Sequence, residues 1–250
     1  MSNDIDIVWV SSSHVLQRFD KPLLQYLSQS VTVAQWEYIA DQDEGSSIDE
    51  AVESLDEYLS QCSDPVNLAG HGAGGAIALT YARRYPEKVR SLILLAVAPQ
   101  PANTWHAHYY LQRQLFTISR EQILAISVRN LFGEQPHNTT KKLMAVLVRD
   151  LEQFPLSHSL FKLVHLPPGG VDIPMMVCGS KNDPVVNLSA LQDWLNWSKP
   201  EDHLWECPKG YHFFHYFYPQ TVGAQMLSFW QQYHLQPRLK SQLLSPNLTN

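Results

Sequence analysis

The sequence predicts an α/β fold, a mostly parallel sheet flanked by helices, with a helical segment inserted in the second half. Three observations carry this. Short apolar runs alternate with helical periods along residues 5–97, the pattern of strands joined by crossover helices. A glycine-rich turn, Gly70-His71-Gly72-Ala73-Gly74-Gly75, links an apolar run to a helical one. Between Pro99 and Val171 the alternation stops and only helical periods recur, before an apolar run resumes at Pro174.

Taken in order, Ile5–Val10 is a short run rich in β-branched residues and reads as a buried strand. Val31–Tyr38 reads as a second strand. Ser47 with Glu50 three residues on forms a capping box, and Ile48, Ala51, Val52, Leu55, Tyr58 and Leu59 then recur at helical spacing. Pro65–Ala69 is a strand, Ala73–Arg84 a helix that stops before Pro86, and Ser91–Val97 a strand. Helical periods follow at Trp105–Thr117, Arg120–Phe132, Thr139–Phe154 and His158–Val164, with a second capping box at Ser119 and Gln122. Pro136, Pro155, Pro167 and Pro168 mark their joints. A strand at Pro174–Gly179, a helix at Leu188–Trp197, a strand at His203–Cys207 and a helix at Val222–Tyr233 complete the pattern. The expected organisation is a core of residues 1–98 and 172–236, a helical lid over 99–171, and a loosely held tail over 237–250.

Composition narrows the function. The chain of 250 residues, 44% hydrophobic with seven tryptophans, can fill a sizeable core. A net charge of −6 without a block of Lys or Arg argues against nucleic-acid binding. No run approaches the roughly 18 apolar residues of a membrane span. The start, MSNDIDIVWV, lacks the basic and apolar regions of a signal peptide. Cys62, Cys178 and Cys207 are widely spaced and odd in number, as in a reduced, cytoplasmic protein, and no CxxC points to zinc. The sequon at Asn247 reads as chance in such a protein.

The glycine-rich turn has the context of a nucleophile elbow, in which a tight strand-to-helix turn holds a serine in a strained conformation and aims it at a pocket. Here the nucleophile position is Gly72, between Gly70 and Gly74. On this stretch the chain resembles the α/β-hydrolase superfamily over about Ile5 to Tyr233. The segment DQDEGSS looks like the family's Asp-x-Gly-x-Ser loop, CGSKNDPVV like its acid-bearing loop, and GYHFFHYFYP like the loop that carries its histidine. The resemblance implies Asp183 as the triad acid and His212 as the triad histidine, with His215 beside it in the pocket. It implies an oxyanion hole from the backbone amides of Ser13 and Ala73, with Ser12 near the pocket. The first strand runs into Ser11-Ser12-Ser13 where the family has His-Gly.

Glycine at the elbow removes the attacking group and relieves a strain of on the order of 1–3 kcal/mol. The leading reading is a non-catalytic binding or scaffold protein for a small apolar ligand or a protein partner, with no cofactor and no metal. An alternative keeps an enzyme, either esterase- or lipase-like through another serine or a His–Asp dyad doing lyase- or oxygenase-type proton transfer. A third holds that an original serine was engineered away.

The remaining candidates read plainly. His71 is an ordinary residue turned from the pocket mouth. His106 and His108 lie two apart, share no helix face and belong on the surface. The cluster YHFFHYFY lines core and pocket, and Met144 and Leu147 form the apolar face of a helix. The expectations are a positive φ at Gly72, with His212 rather than His215 facing it and Asp183 behind His212.

Overall fold

The computed structural model describes residues 5–39, 47–153 and 166–232. The described residues form a six-stranded sheet in the order β2-β1-β3-β4-β5-β6, with every neighbouring pair parallel. The strands are β1 (Ile7–Ser11), β2 (Val33–Glu37), β3 (Val66–His71), β4 (Val89–Leu95), β5 (Met175–Ser180) and β6 (His203–Cys207). This is the predicted α/β arrangement.

Period-two alternation divides the strands between two cores. Val8, Val10, Leu68, Leu92, Leu94 and Val177 face one core. Ile7, Trp9, Ala69, Ile93, Leu95, Met176 and Cys178 face the other. Because both faces are covered, the central strands are mostly apolar, and the buried Asn67 and Ser91 bond to each other. The first core is closed by α2 (Ile48–Leu59) and α3 (Gly72–Arg84), the second by α1 (Lys21–Leu27) and α9 (Pro219–Gln232). The capping box of Ser47 and Glu50 is complete in both directions, at 3.2 Å each way.

Between β4 and β5 lie α4 (Trp105–Leu115), α5 (Arg120–Phe132) and α6 (His137–Gln153). The helix expected at 158–164 and the tail at 237–250 lie outside the described residues, as does the loop DQDEGSS at 41–47 except for Ser47. The helix expected at Leu188–Trp197 is an α-turn, α7 (Leu188–Gln192), tightening into a 3₁₀ turn at Asp193–Asn196. A short α8 (Phe214–Phe217) follows the predicted histidine loop.

The glycines after β3 have different jobs. A Cβ on Gly74 would lie 2.3 Å from the backbone oxygen of Val10, so the close approach of α3 to β1 requires glycine there. A Cβ on Gly72 would meet only His212 Nε2, at 3.7 Å, an ordinary contact. Gly72 is needed for its backbone alone, which has φ +53°.

Candidate functional site

Strand β3 and helix α3 position the centre of the site. The chain leaves the sheet at His71 and enters α3 through Gly72, in the left-handed region that side chains other than glycine enter at a cost. The turn therefore has the elbow's shape, and nothing but hydrogen stands where the elbow directs its central side chain.

The loops after β5 and β6 bring a carboxylate and an imidazole to the same point. His212 Nδ1 and Asp183 Oδ2 are 2.9 Å apart, and both side chains are buried. Asp183 is fixed in turn by the amide of Val185, which donates to Oδ1 at 2.7 Å. With Nδ1 donating to Asp183, Nε2 is left as the basic nitrogen, and it is the atom that faces Gly72. Tyr211, just before the histidine, is held at φ +56°, so the loop accepts backbone strain to place the ring. His212 thus faces Gly72, and Asp183 lies on its other side.

Around this point is a cavity of about 30 Å³, lined among others by Ser12, Ser13, His71, Gly72, Ala73, Trp105, His106 and His212. That is room for about two water molecules. Ser12, expected near the pocket, and Ala73, expected as an oxyanion amide, are both in the wall. The amide of Ser13 makes a long 3.5 Å contact to Ser11 Oγ, so this expected oxyanion donor is turned toward its own loop.

Comparison with known proteins finds the same fold elsewhere. Residues 47–125 match the α/β hydrolase fold family. A hydrolase from Pseudomonas aeruginosa has a similar structure, with a TM-score of 0.70 at 18% identity, over 91% of this chain and 90% of that one. The chain has the α/β-hydrolase fold. The uncharacterized protein alr2406 of Nostoc sp. is 74% identical over the full length of both chains. The uncharacterized protein sll0249 of Synechocystis sp. is 36% identical over 92% of each.

Two further carboxylate–histidine pairs lie beside the site of this α/β-hydrolase-fold chain. His215, expected in the pocket, is instead fully buried behind it. Its Nε2 donates to Asp20 Oδ1 at 2.9 Å, while Trp9 Nε1 donates to Asp20 Oδ2 at 3.0 Å. His71 is also corrected. It lines the cavity, sits against the rings of His212, Phe213 and His215, and places Nε2 3.0 Å from the carbonyl oxygen of His212. Asp20, His71 and His215 each offer a metal-ligand atom within 4.8 Å of the others. Both oxygens of Asp20 are already taken by N–H donors, so the group is arranged as a hydrogen-bonded network.

The second pair overturns the surface placement of His106. His106 is buried, and its Nε2 lies 2.7 Å from Asp150 Oδ2 on α6. Asp150 is fully buried and also accepts from the hydroxyl of Ser13. The stripe Trp105, His106 and Tyr109 turns that histidine inward. His108 is half-buried and bonded to Asn103 Oδ1 at 2.9 Å, so it is not a free surface residue either. Ser13, α4 and α6 are thereby joined through one carboxylate beside the vacant position.

Burial holds the His71 imidazole well below its usual range, and the neighbouring His215 and His212 push the same way. Burial also lowers His108, with His212 adding to it. In the unfolded chain these rings take a proton near pH 6.5. Above that, both states are neutral. Below it, the unfolded state gains protons that the folded state resists, so stability falls as the solution is acidified. The melting temperature is expected to drop between pH 7 and pH 5, and to drop less in His71→Asn. Equal slopes for the two proteins would contradict this.

Proposed function

We propose that this chain is an α/β-hydrolase-fold protein that has given up serine-hydrolase chemistry and uses the closed site beneath α4–α6 to bind rather than to cleave. The observation that carries the reading is Gly72 at φ +53°, an elbow that has kept its backbone and lost its side chain. A nucleophilic mechanism needs an activated hydroxyl or thiol within reach of the base. The base and its acid are aligned, and the elbow has no group to activate. Helices α4–α6 then act as a lid over a cavity sized for water, and a small ligand or a partner must move them to enter. Nε2 of His212, the hydroxyls of Ser12 and Ser13 and the amides at the start of α3 make that cavity polar.

The aligned Asp183–His212 pair favours a second reading, in which His212 acts as a general base on a bound molecule without a covalent intermediate. Kinetics separate the two. With p-nitrophenyl acetate the binding reading predicts no burst and a rate equal to that of His212→Ala. A background rate that falls about 10²-fold or more in His212→Ala would favour the general base. A burst of product would contradict both.

A further inference from the structure

The last turn of α4 stands clear of the body. Its first turns bury Trp105, His106 and Tyr109. Arg113, Gln114, Leu115 and Phe116 are then exposed one after another. Successive helix residues point about 100° apart, so Arg113, Gln114 and Leu115 leave most of the helix end uncovered, with half-buried Gln112 on the remaining side. What projects is apolar. Leu111 is 52% exposed, Leu115 65% and Phe116 51%, with Tyr110 and Ile118 beside them. Leu111 and Leu115 share a face one turn apart. Five of the large exposed apolar side chains thus fall within residues 110–118.

The charge around this tip runs against the rest of the chain. From Pro99 to Arg120 the formally charged side chains are Arg113 and Arg120 alone, and the first carboxylate is Glu121 in the opening turn of α5, in a chain of net charge −6. A convex apolar tip with flanking guanidinium groups matches a surface that is anionic outside and hydrocarbon within. Leucine and phenylalanine enter the acyl boundary while arginines reach back to the headgroups. A protein partner would instead need a cavity shaped for the protrusion and carboxylates for both arginines.

We propose that the α4 tip, Tyr110–Ile118 with Arg113 and Arg120, is a peripheral docking element for an anionic lipid surface. The element does not depend on whether the site at Gly72 is catalytic, so the two readings fail separately. It belongs to the segment that covers the cavity, which would place the cavity's entrance near the bilayer.

Co-sedimentation of the full chain with vesicles tests this. Vesicles of equal phosphatidylglycerol and phosphatidylcholine are compared with pure phosphatidylcholine at low and high salt. The expected result is binding to the anionic vesicles, weakened by salt. The Leu115→Ser/Phe116→Ser variant should bind about tenfold less tightly, and Arg113→Gln/Arg120→Gln should lose most of the salt dependence. Both variants should keep the parent melting temperature, because the altered side chains are exposed. Absence of binding to anionic vesicles, or binding that the tip substitutions leave unchanged, overturns the proposal. So does a dimer in sedimentation velocity that Leu115→Ser/Phe116→Ser converts to monomer, since the tip would then be covered by a second copy.

Discussion

Gly72→Ser is expected to create a slow esterase at a cost in stability. The Cβ of the new residue would lie 3.7 Å from His212 Nε2 with nothing else in its way. The hydroxyl, one bond further out, comes within the hydrogen-bond reach a general base needs. Asp183 already holds the other ring nitrogen at 2.9 Å. The serine must adopt φ near +53°, which glycine tolerates and serine does not, at about 1–3 kcal/mol. The rate should stay low because the Ser13 amide is turned to Ser11 Oγ, and one missing oxyanion donor costs roughly 10²–10³ in rate. Ester turnover and urea denaturation on the same preparation check both halves. A variant more stable than the parent would contradict the strain argument. An inactive variant would contradict the idea that the acid–histidine pair is competent.

Asp150→Ala is expected to cost the most stability of any single change near the site. It removes a fully buried carboxylate that accepts from the Ser13 hydroxyl and pairs with His106. Buried His106 and half-buried Ser13 lose their shared partner, at about 2–5 kcal/mol. The carboxylate ties the loop after β1 to α4 and α6, so the variant should also expose more of the cavity. Chemical denaturation should show a lower midpoint, and a shift worth less than about 1 kcal/mol would contradict a structural role for this carboxylate.

The parts of this molecule that sequence reveals are those governed by local rules. Strands buried on both faces are mostly apolar, which is why β1, β3, β4 and β5 stand out. Ser47 with Glu50 and Ser119 with Gln122 marked helix starts that the structure caps in that way. Gly72 could be located because the strand, turn and helix around it are contiguous. Helix α1 escaped notice because its apolar residues Leu23, Leu24 and Leu27 span too little chain for a period to register. Asp20 and Asp150 escaped for a different reason. Their partners lie 195 and 137 residues away for His215 and Ser13, and a single aspartate carries no local mark of such a contact. A signal for His106 was present, since Trp105, His106 and Tyr109 lie on one side of a helix, but the His-x-His pattern drew attention to spacing instead of to that face.

The central claim is that no group at the elbow can attack. The most direct measurement is the intact mass of the unaltered chain after prolonged incubation with a fluorophosphonate, beside Gly72→Ser treated in the same way. The account predicts an unchanged mass for the parent and a single adduct on residue 72 of the variant. A stoichiometric adduct on any serine of the parent would contradict it, because a nucleophile activated elsewhere would then be performing the chemistry that Gly72 cannot.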